Sequence, residues 1–472
     1  MKKILFIFFF TFLFFQNIFS SSYLIIKGKP SSFKDFSKKI KKVNKIPCNC
    51  RYKVIKNNVY RFPNVNSFSF YLPDPLEKDQ KWLSLINGIG LDNISTGKGI
   101  LIGVLDSGVE LDHEDLKGQI IDWYNSADNN TDVEDWLGHG TAVVGIMGAI
   151  AHNGNGIIGV SPDAKYVVVK ITHKWDDTFD DYSVAKAIYY LVDKGCRIIN
   201  MSIQMSKKSE VVEDAINYAK KNGVILVSAA GNRQDSPEMY PASNPYVLGV
   251  SAVDENNNIA QFSSYDNNTF IFTIGENILT TYIGNTYLPQ SGTSFSAPIV
   301  SGIIADILSL NKYLTLDDIK KIILASTNKF VNGTDFKILD AKNSLISTGI
   351  QFYSNKYEYH EGDNISIMAK FPPMSKKFNL YIGLQTPDSS IYLLTYKNHK
   401  LSWILYTSKL IPVAKYVSLN NFVNITLFGE NGYFPSIQIT NQIKKGIYSL
   451  CGIYEKNGEW LGYFHPIEIK IK

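Results

Sequence analysis

The rhythm of apolar positions changes three times along this chain. Ile4 to Phe15 is almost wholly apolar, follows Lys2 and Lys3, and is closed by Ser20, Ser21 and Ser22. A positive start, an apolar run of about a dozen residues and a small-x-small end describe a secretory signal peptide. The run is short for a membrane span. Ser20 and Ser22 suit the small positions before a cut at Tyr23. An uncleaved N-terminal anchor is the competing reading. No other segment reads as transmembrane, so the rest is expected to be exported, secreted or held in the cell envelope, with no stable membrane insertion once the signal is removed.

Residues 23–75 form a small basic segment with strand-like runs at Tyr23–Lys27, Tyr52–Ile55 and Phe68–Leu72, and a Lys-rich, helix-like stretch at Phe33–Lys42. From 76 to 347 the pattern is different. Gly99–Leu105, Tyr166–Ile171, Arg197–Ser202 and Gly223–Ser228 are continuous apolar runs, as expected of strands buried on both faces. Ser183–Lys194 and Glu210–Asn222 carry a helical period between them. Such alternation predicts an α/β fold, a parallel sheet sandwiched by helices. Beyond about 350, short alternating runs such as Asn364–Ala369, Leu380–Leu384 and Ile391–Thr395 are punctuated by Gly, Pro, Asn and Asp. That texture predicts an all-β sandwich over 350–472. No repeat or low-complexity linker separates the two regions, so they can pack directly.

Composition narrows the class. At 472 residues, 45% hydrophobic and 19% charged, the chain can bury a large core. The net charge of +5 is small, with lysines scattered among Asn and Asp, so no nucleic-acid footprint is read. Four cysteines, Cys48, Cys50, Cys196 and Cys451, do not make a disulfide scaffold or a zinc spacing. Cys196 lies in an apolar stretch and is expected to be a buried free thiol.

Three islands carry candidate chemistry. Asp106, in Val104-Leu-Asp106-Ser-Gly108, ends an apolar strand, and active sites of open α/β folds gather at that edge. A turn-capping Asp is the plain alternative. His139, in Gly138-His139-Gly-Thr141, opens a small-residue helix between glycines that permit close approach; a structural His is the alternative. Ser294, in Gly292-Thr-Ser294-Phe-Ser-Ala-Pro298, opens the apolar helix through Leu308. A Ser there is commonly an N-cap, yet the helix end also favours negative charge developing near its Oγ.

Together these islands resemble the subtilisin-like serine proteases, whose triad runs Asp, His, Ser. Asp106-Ser-Gly108, His139-Gly-Thr141 and Gly292-Thr-Ser294-x-x-Ala-Pro298 match the three signatures, and Ala229-Ala-Gly-Asn232 matches the oxyanion-hole segment. The resemblance covers roughly 76–347 and closes at Phe336–Ala341. It implies a secreted serine endopeptidase that cuts protein or peptide substrates through an acyl-enzyme, with Asp106, His139 and Ser294 as triad and Asn232 as oxyanion donor. No cofactor is implied for the chemistry.

The resemblance also implies a substrate strand at Asn200–Ser202 and a pocket lined by Ser202, Ala229 and Gly231 for the residue before the cut. This chain departs from the pattern at Ile203-Gln204, where an apolar residue followed by Gly is usual; Gln204 narrows the cleft or adds a polar contact. Arg233 and Glu238 follow Asn232; they either add charge selectivity or are surface charges, the latter being the favoured reading. A structural calcium is implied by Asp115 and the loop His152–Ile157, with Asn153 and Ile157 offering oxygens. Residues 23–75 resemble a short propeptide that inhibits the enzyme until it is cut off, near 70–75. The competing reading is a protein whose β-rich tail docks it on a surface or partner, with proteolysis secondary.

Overall fold

The computed structural model describes residues 73–234 and 237–354 continuously, three short strands before residue 57, and the strands beyond 354. The signal-like residues, Cys48, Cys50 and the run at 68–72 lie outside the described residues. The chain divides into two compact units, Met1–Tyr71 and Leu72–Lys472.

In the first unit β1 (Tyr23–Ile26) pairs antiparallel with both β2 (Ile40–Val43) and β3 (Lys53–Lys56). Ile40–Lys42 therefore belong to a strand, not to the helix expected at Phe33–Lys42, whose remainder lies outside the described residues. The run Ile40-Lys-Lys-Val43 places apolar residues at both ends of a basic pair, and pairing with β1 outweighs the helix propensity of the lysines.

The second unit is built on seven parallel strands: β4 (Leu101–Asp106), β5 (Ile120–Asn125), β6 (Lys165–Lys170), β7 (Ile198–Met201), β8 (Ile225–Ala229), β9 (Leu248–Val253) and β10 (Ile271–Ile274). Their order is β10-β9-β8-β7-β4-β6-β5. Ile102, Val104, Leu105, Val168, Ile199, Leu226 and Val227 are completely buried, which is why these runs show no polar alternation. Two apolar clusters, one on each face, hold the helices. One cluster includes Val104, Val168, Ile198 and Val227, and the other Leu105, Val169, Ile199 and Leu226.

Four helices matter for the site. α1 (His139–Gly148) and α4 (Thr293–Leu310) bring side chains to the first cluster, α2 (Asp181–Asp193) and α3 (Glu210–Lys221) to the second. α2 and α3 are amphipathic, and Asp180 caps α2 by accepting the Ser183 N–H at 2.7 Å. α4 is the one described helix long and apolar enough to cross a membrane, but 83% of it is buried in the core. Cys196 is a buried free thiol beneath α2, and burial pushes it up to about 12, so it is unreactive.

After Ile350 the chain turns to antiparallel strands, among them Ile367–Phe371, Met374–Gln385 and Gly446–Lys456. They share the first apolar cluster through Ile367, Phe371, Met374 and Leu450. Asp318 also accepts the Ser375 hydroxyl at 2.7 Å and its N–H at 3.1 Å. The β-rich region is thus packed directly on the α/β part.

Candidate active site

The sheet order changes direction at β4: the chain passes to β5 and β6 on one side, then to β7 through β10 on the other. Such a switch opens a crevice at the carboxyl edge. Asp106 is the last residue of β4, and a cavity of about 360 Å³ at this edge is lined by Asp106, His139, Ser202, Gln204, Ala229, Gly231, Asn232 and Ser294. The residues singled out for catalysis, oxyanion binding and substrate binding therefore converge on one crevice from five segments. A larger cavity, about 710 Å³, is lined by Asp74, Ser84, Ile89 and Asp92 among others, but it contains no paired nucleophile and base.

Asp106 is 2% exposed and accepts from His139 Nδ1 at 2.7 Å and from the Ser107 N–H at 2.7 Å, both on Oδ1. The bond places a proton on Nδ1 and leaves Nε2 of the neutral ring as an acceptor. His139 is one-third exposed, 32%. Burial works against its charged form, but the charge and hydrogen bond of Asp106, with the charge of Asp135, prevail and raise its pKa above the ordinary 6.5.

Asp135 is a residue that the sequence reading missed. It is buried, its Oδ1 accepts the Ser107 hydroxyl at 2.8 Å and the Gly138 N–H at 2.9 Å, and its Oδ2 accepts the Thr141 N–H at 2.8 Å and hydroxyl at 2.7 Å. It ties the turn before α1 to the end of β4 and so fixes His139 beside Asp106. Its signal was an Asp a few residues before a helix start, which reads as an ordinary cap.

Ser294 is the second residue of α4. Gly292 before it has φ 151°, a conformation closed to other residues without strain, and it swings the chain into the helix. Pro298 has no N–H to bond the carbonyl four residues back. The Ser294 carbonyl is thereby freed, and it accepts the Ser202 hydroxyl at 2.7 Å, while Ser294 Oγ donates to the Ser202 carbonyl at 3.3 Å. This reciprocal pair clamps the start of α4 to the strand after β7. A second clamp orients Asn232: its Oδ1 accepts the Thr293 N–H at 3.0 Å and hydroxyl at 2.9 Å, so Nδ2 is left as the unused end. Thr293 was not singled out in the sequence either, since an apolar setting hides a buried hydroxyl's partner.

Gln204 reaches across the crevice, its Oε1 accepting the Asn232 N–H at 2.8 Å. Gly231, at φ 113°, has no room for a side chain, because a Cβ there would collide with Met239 and crowd Gln204. Arg233 is exposed, as expected. Glu238 corrects the reading of it as a surface charge: it is 6% exposed. It lies two residues before the Tyr240–Met205 bridge, which draws this segment inward.

Asp115, Asn153 and Ile157 also come together. Asp115 is fully buried; its Oδ1 accepts from Asn153 Nδ2 at 2.8 Å and its Oδ2 from the Ile157 N–H at 2.9 Å. Asp74 accepts three backbone N–H groups of the same loop, from His152, Asn153 and Gly154. Burial, with a contribution from the Asp74 charge, raises Asp115 to about 7. Two carboxylates, Asp74 and Asp115, facing one Asn/Gly-rich loop suit a hard cation in charge and donor type. In this arrangement the loop turns N–H groups rather than oxygens toward Asp115, and among the described residues no three Asp, Glu, His or Cys side chains converge.

A parallel sheet with its crevice at a strand-order switch, holding an Asp–His pair and a helix-start Ser, defines a hydrolase of the subtilisin-like α/β class. Residues 97–340 match the model of the subtilase family, and the chain belongs to that family of serine-type endopeptidases. It is 38% identical over 205 residues to the thermophilic serine proteinase of Bacillus sp. (strain AK1), a match spanning 43% of this chain and 51% of that protein. It is 32% identical over 244 residues to thermitase of Thermoactinomyces vulgaris, covering 51% of this chain and 83% of thermitase. Among solved structures, a protease from Pseudoalteromonas arctica superposes with a TM-score of 0.54 at 26% identity, over 58% of this chain and 98% of the other.

Proposed function

We propose that this chain is a secreted serine endopeptidase made as a self-processing zymogen. The observation that carries the reading is the 2.7 Å Asp106–His139 bond in the same crevice as Ser294 and Asn232. Ser294 Oγ attacks the peptide carbonyl carbon as its proton passes to His139 Nε2. The imidazolium so formed is held by Asp106 and then protonates the leaving amine as the C–N bond breaks. Water, deprotonated by the same nitrogen, hydrolyses the acyl-Ser294 ester. The oxyanion is received by Asn232 Nδ2 and the Ser294 N–H at the positive end of α4. An extended substrate pairs with the strand at Asn200–Ser202. The test is incubation of the purified chain with a peptide library, expecting internal cuts that a serine-directed inhibitor stops; failure to cut would remove the reading.

The residue before the cut meets a small pocket. Gln204 and Met239 crowd Gly231, and the Gln204–Asn232 bond spans the opening. Small side chains are therefore the expected preference there. Gln204→Gly is expected to raise kcat/KM for peptides with Phe or Leu at that position by about 10- to 100-fold relative to Ala, the range that a few methylene groups decide. An unchanged ranking in a peptide-library profile would refute the role of Gln204.

Residues 23–75 act in this reading as an inhibitory propeptide cut off near 70–75, supported by the division into units at Tyr71 and Leu72. The strands beyond residue 350 form an accessory β-sandwich. Asp115, Asn153 and Ile157 would hold a structural calcium, which would supply charge neutralisation, once the Asn153 amide, whose Nδ2 now donates to Asp115, turned to offer its oxygen. A chelator is then expected to lower the melting temperature of the wild-type chain by several degrees more than that of Asp115→Asn, as differential scanning calorimetry would record. Equal sensitivity in both would assign calcium elsewhere.

A further inference from the structure

One buried carboxylate is unused by the chemistry above. Glu238 is 6% exposed, and among the described residues neither of its oxygens accepts a hydrogen bond. Its carboxyl group lies flat on β9, where a Cβ on Gly249 would collide with it. A second carboxylate shares the corner: Asp266 Oδ2 accepts the Glu238 N–H at 3.3 Å, and its Oδ1 accepts the Asn268 N–H at 2.7 Å. No ion pair is formed by either group among the described residues. Burial raises Glu238 to about 8; the Thr269 hydroxyl opposes this in part and the Asp266 charge adds to it.

Two stable outcomes exist for such a corner. Glu238 can keep a proton, or a cation can lie between the carboxylates. A proton alone still leaves a Glu238 oxygen unpaired in the buried corner, with the Asp266 charge beside it uncompensated. A hard cation uses the lone pairs of both carboxylates at once. We propose that Glu238 and Asp266 form a site for a calcium-sized divalent cation, completed by the Thr269 hydroxyl and water. It is separate from the Asp115 loop and independent of the peptidase reading.

Its position gives it a consequence. Met239, next to Glu238, donates its N–H to the Ala230 carbonyl at 2.7 Å and packs against Gly231. Ser264, two residues before Asp266, donates its N–H to the Gly231 carbonyl at 2.9 Å. Both carboxylates are thus tied to Gly231, which lines the crevice and precedes Asn232. A cation joining them stiffens the wall of the pocket from behind.

Terbium(III), excited through tyrosine, provides the probe, with the full-length Ser294→Ala, Asp115→Asn protein as parent so that neither self-cleavage nor the Asp115 loop intervenes. One saturable, calcium-displaceable binding event is expected. Glu238→Gln and Asp266→Asn, each added to the parent, are expected to weaken it tenfold or more while circular dichroism shows both folded. In active Asp115→Asn enzyme, calcium is expected to lower KM for peptides, and Glu238→Gln to remove that dependence. No binding by the parent, or binding unchanged by both substitutions, would overturn the proposal. So would a Glu238→Gln protein that melts at or above the parent temperature with calcium present, since that marks a protonated core acid.

Discussion

Ser294→Ala is expected to lower kcat by about 10⁶, the scale on which subtilisin responds to loss of its nucleophile, and to leave the precursor uncut. The loss is large because one oxygen performs the bond-forming step and nothing else in the crevice replaces it. Ser202 also lines the crevice, but it is 3% exposed and its hydroxyl already donates to the Ser294 carbonyl. The fold should survive. Ser294 Oγ makes one 3.3 Å bond to the Ser202 carbonyl, whereas the Ser294 carbonyl keeps its stronger bond from the Ser202 hydroxyl. A change in melting temperature under about two degrees is expected, in keeping with a bond worth about 1 kcal/mol or less. Electrophoresis of the expressed precursor beside wild type reads the processing, and calorimetry reads the melting temperature. A variant that still processes itself contradicts the role of Ser294.

Asp106→Asn should cost about 10⁴ in kcat at neutral pH. An amide in place of the carboxylate can donate to Nδ1, which moves the ring proton to Nε2 and removes the acceptor that Ser294 needs. The same substitution has a signature in pH that a merely structural change lacks. Only the deprotonated imidazole accepts the Ser294 proton, so activity rises as pH passes upward through the His139 pKa. Asp106 and Asp135 hold that value above 6.5 against the effect of burial. The acid limb of kcat/KM in wild type therefore has its midpoint above 6.5, and in Asp106→Asn, with one of the two negative charges gone, it moves to lower pH. A limb that does not move would mean that another group governs it.

The elements around the site were legible in the sequence because each is extreme in its pattern. The strands Leu101–Asp106 and Ile225–Ala229 are buried on both faces and read as unbroken apolar runs. Asp106, His139 and Ser294 each had an ordinary structural alternative and stood out only together, because their segments resemble the subtilisin signatures in the right order. What escaped were residues whose role is a partner rather than a pattern. Asp135 and Thr293 look like a cap and a small polar residue until the structure shows Asp135 bracing the His139 turn and Thr293 fixing the amide of Asn232. Glu238 was misread for the opposite reason. A charged residue between Pro237 and Met239 in a polar stretch looks exposed, and only the Tyr240–Met205 bridge carries it inside. The Lys-rich stretch ending at Lys42 shows the limit of propensity, since its last residues pair with β1 as a strand.

The most direct measurement is mass-spectrometric mapping of a fluorophosphonate adduct on the purified wild-type enzyme, repeated with His139→Ala. A stoichiometric adduct on Ser294, formed at a rate that rises with pH above 6.5 and lost in His139→Ala, is the result expected of a hydroxyl activated by this imidazole. An adduct on any other residue, or one on Ser294 that forms equally fast without His139, would contradict it.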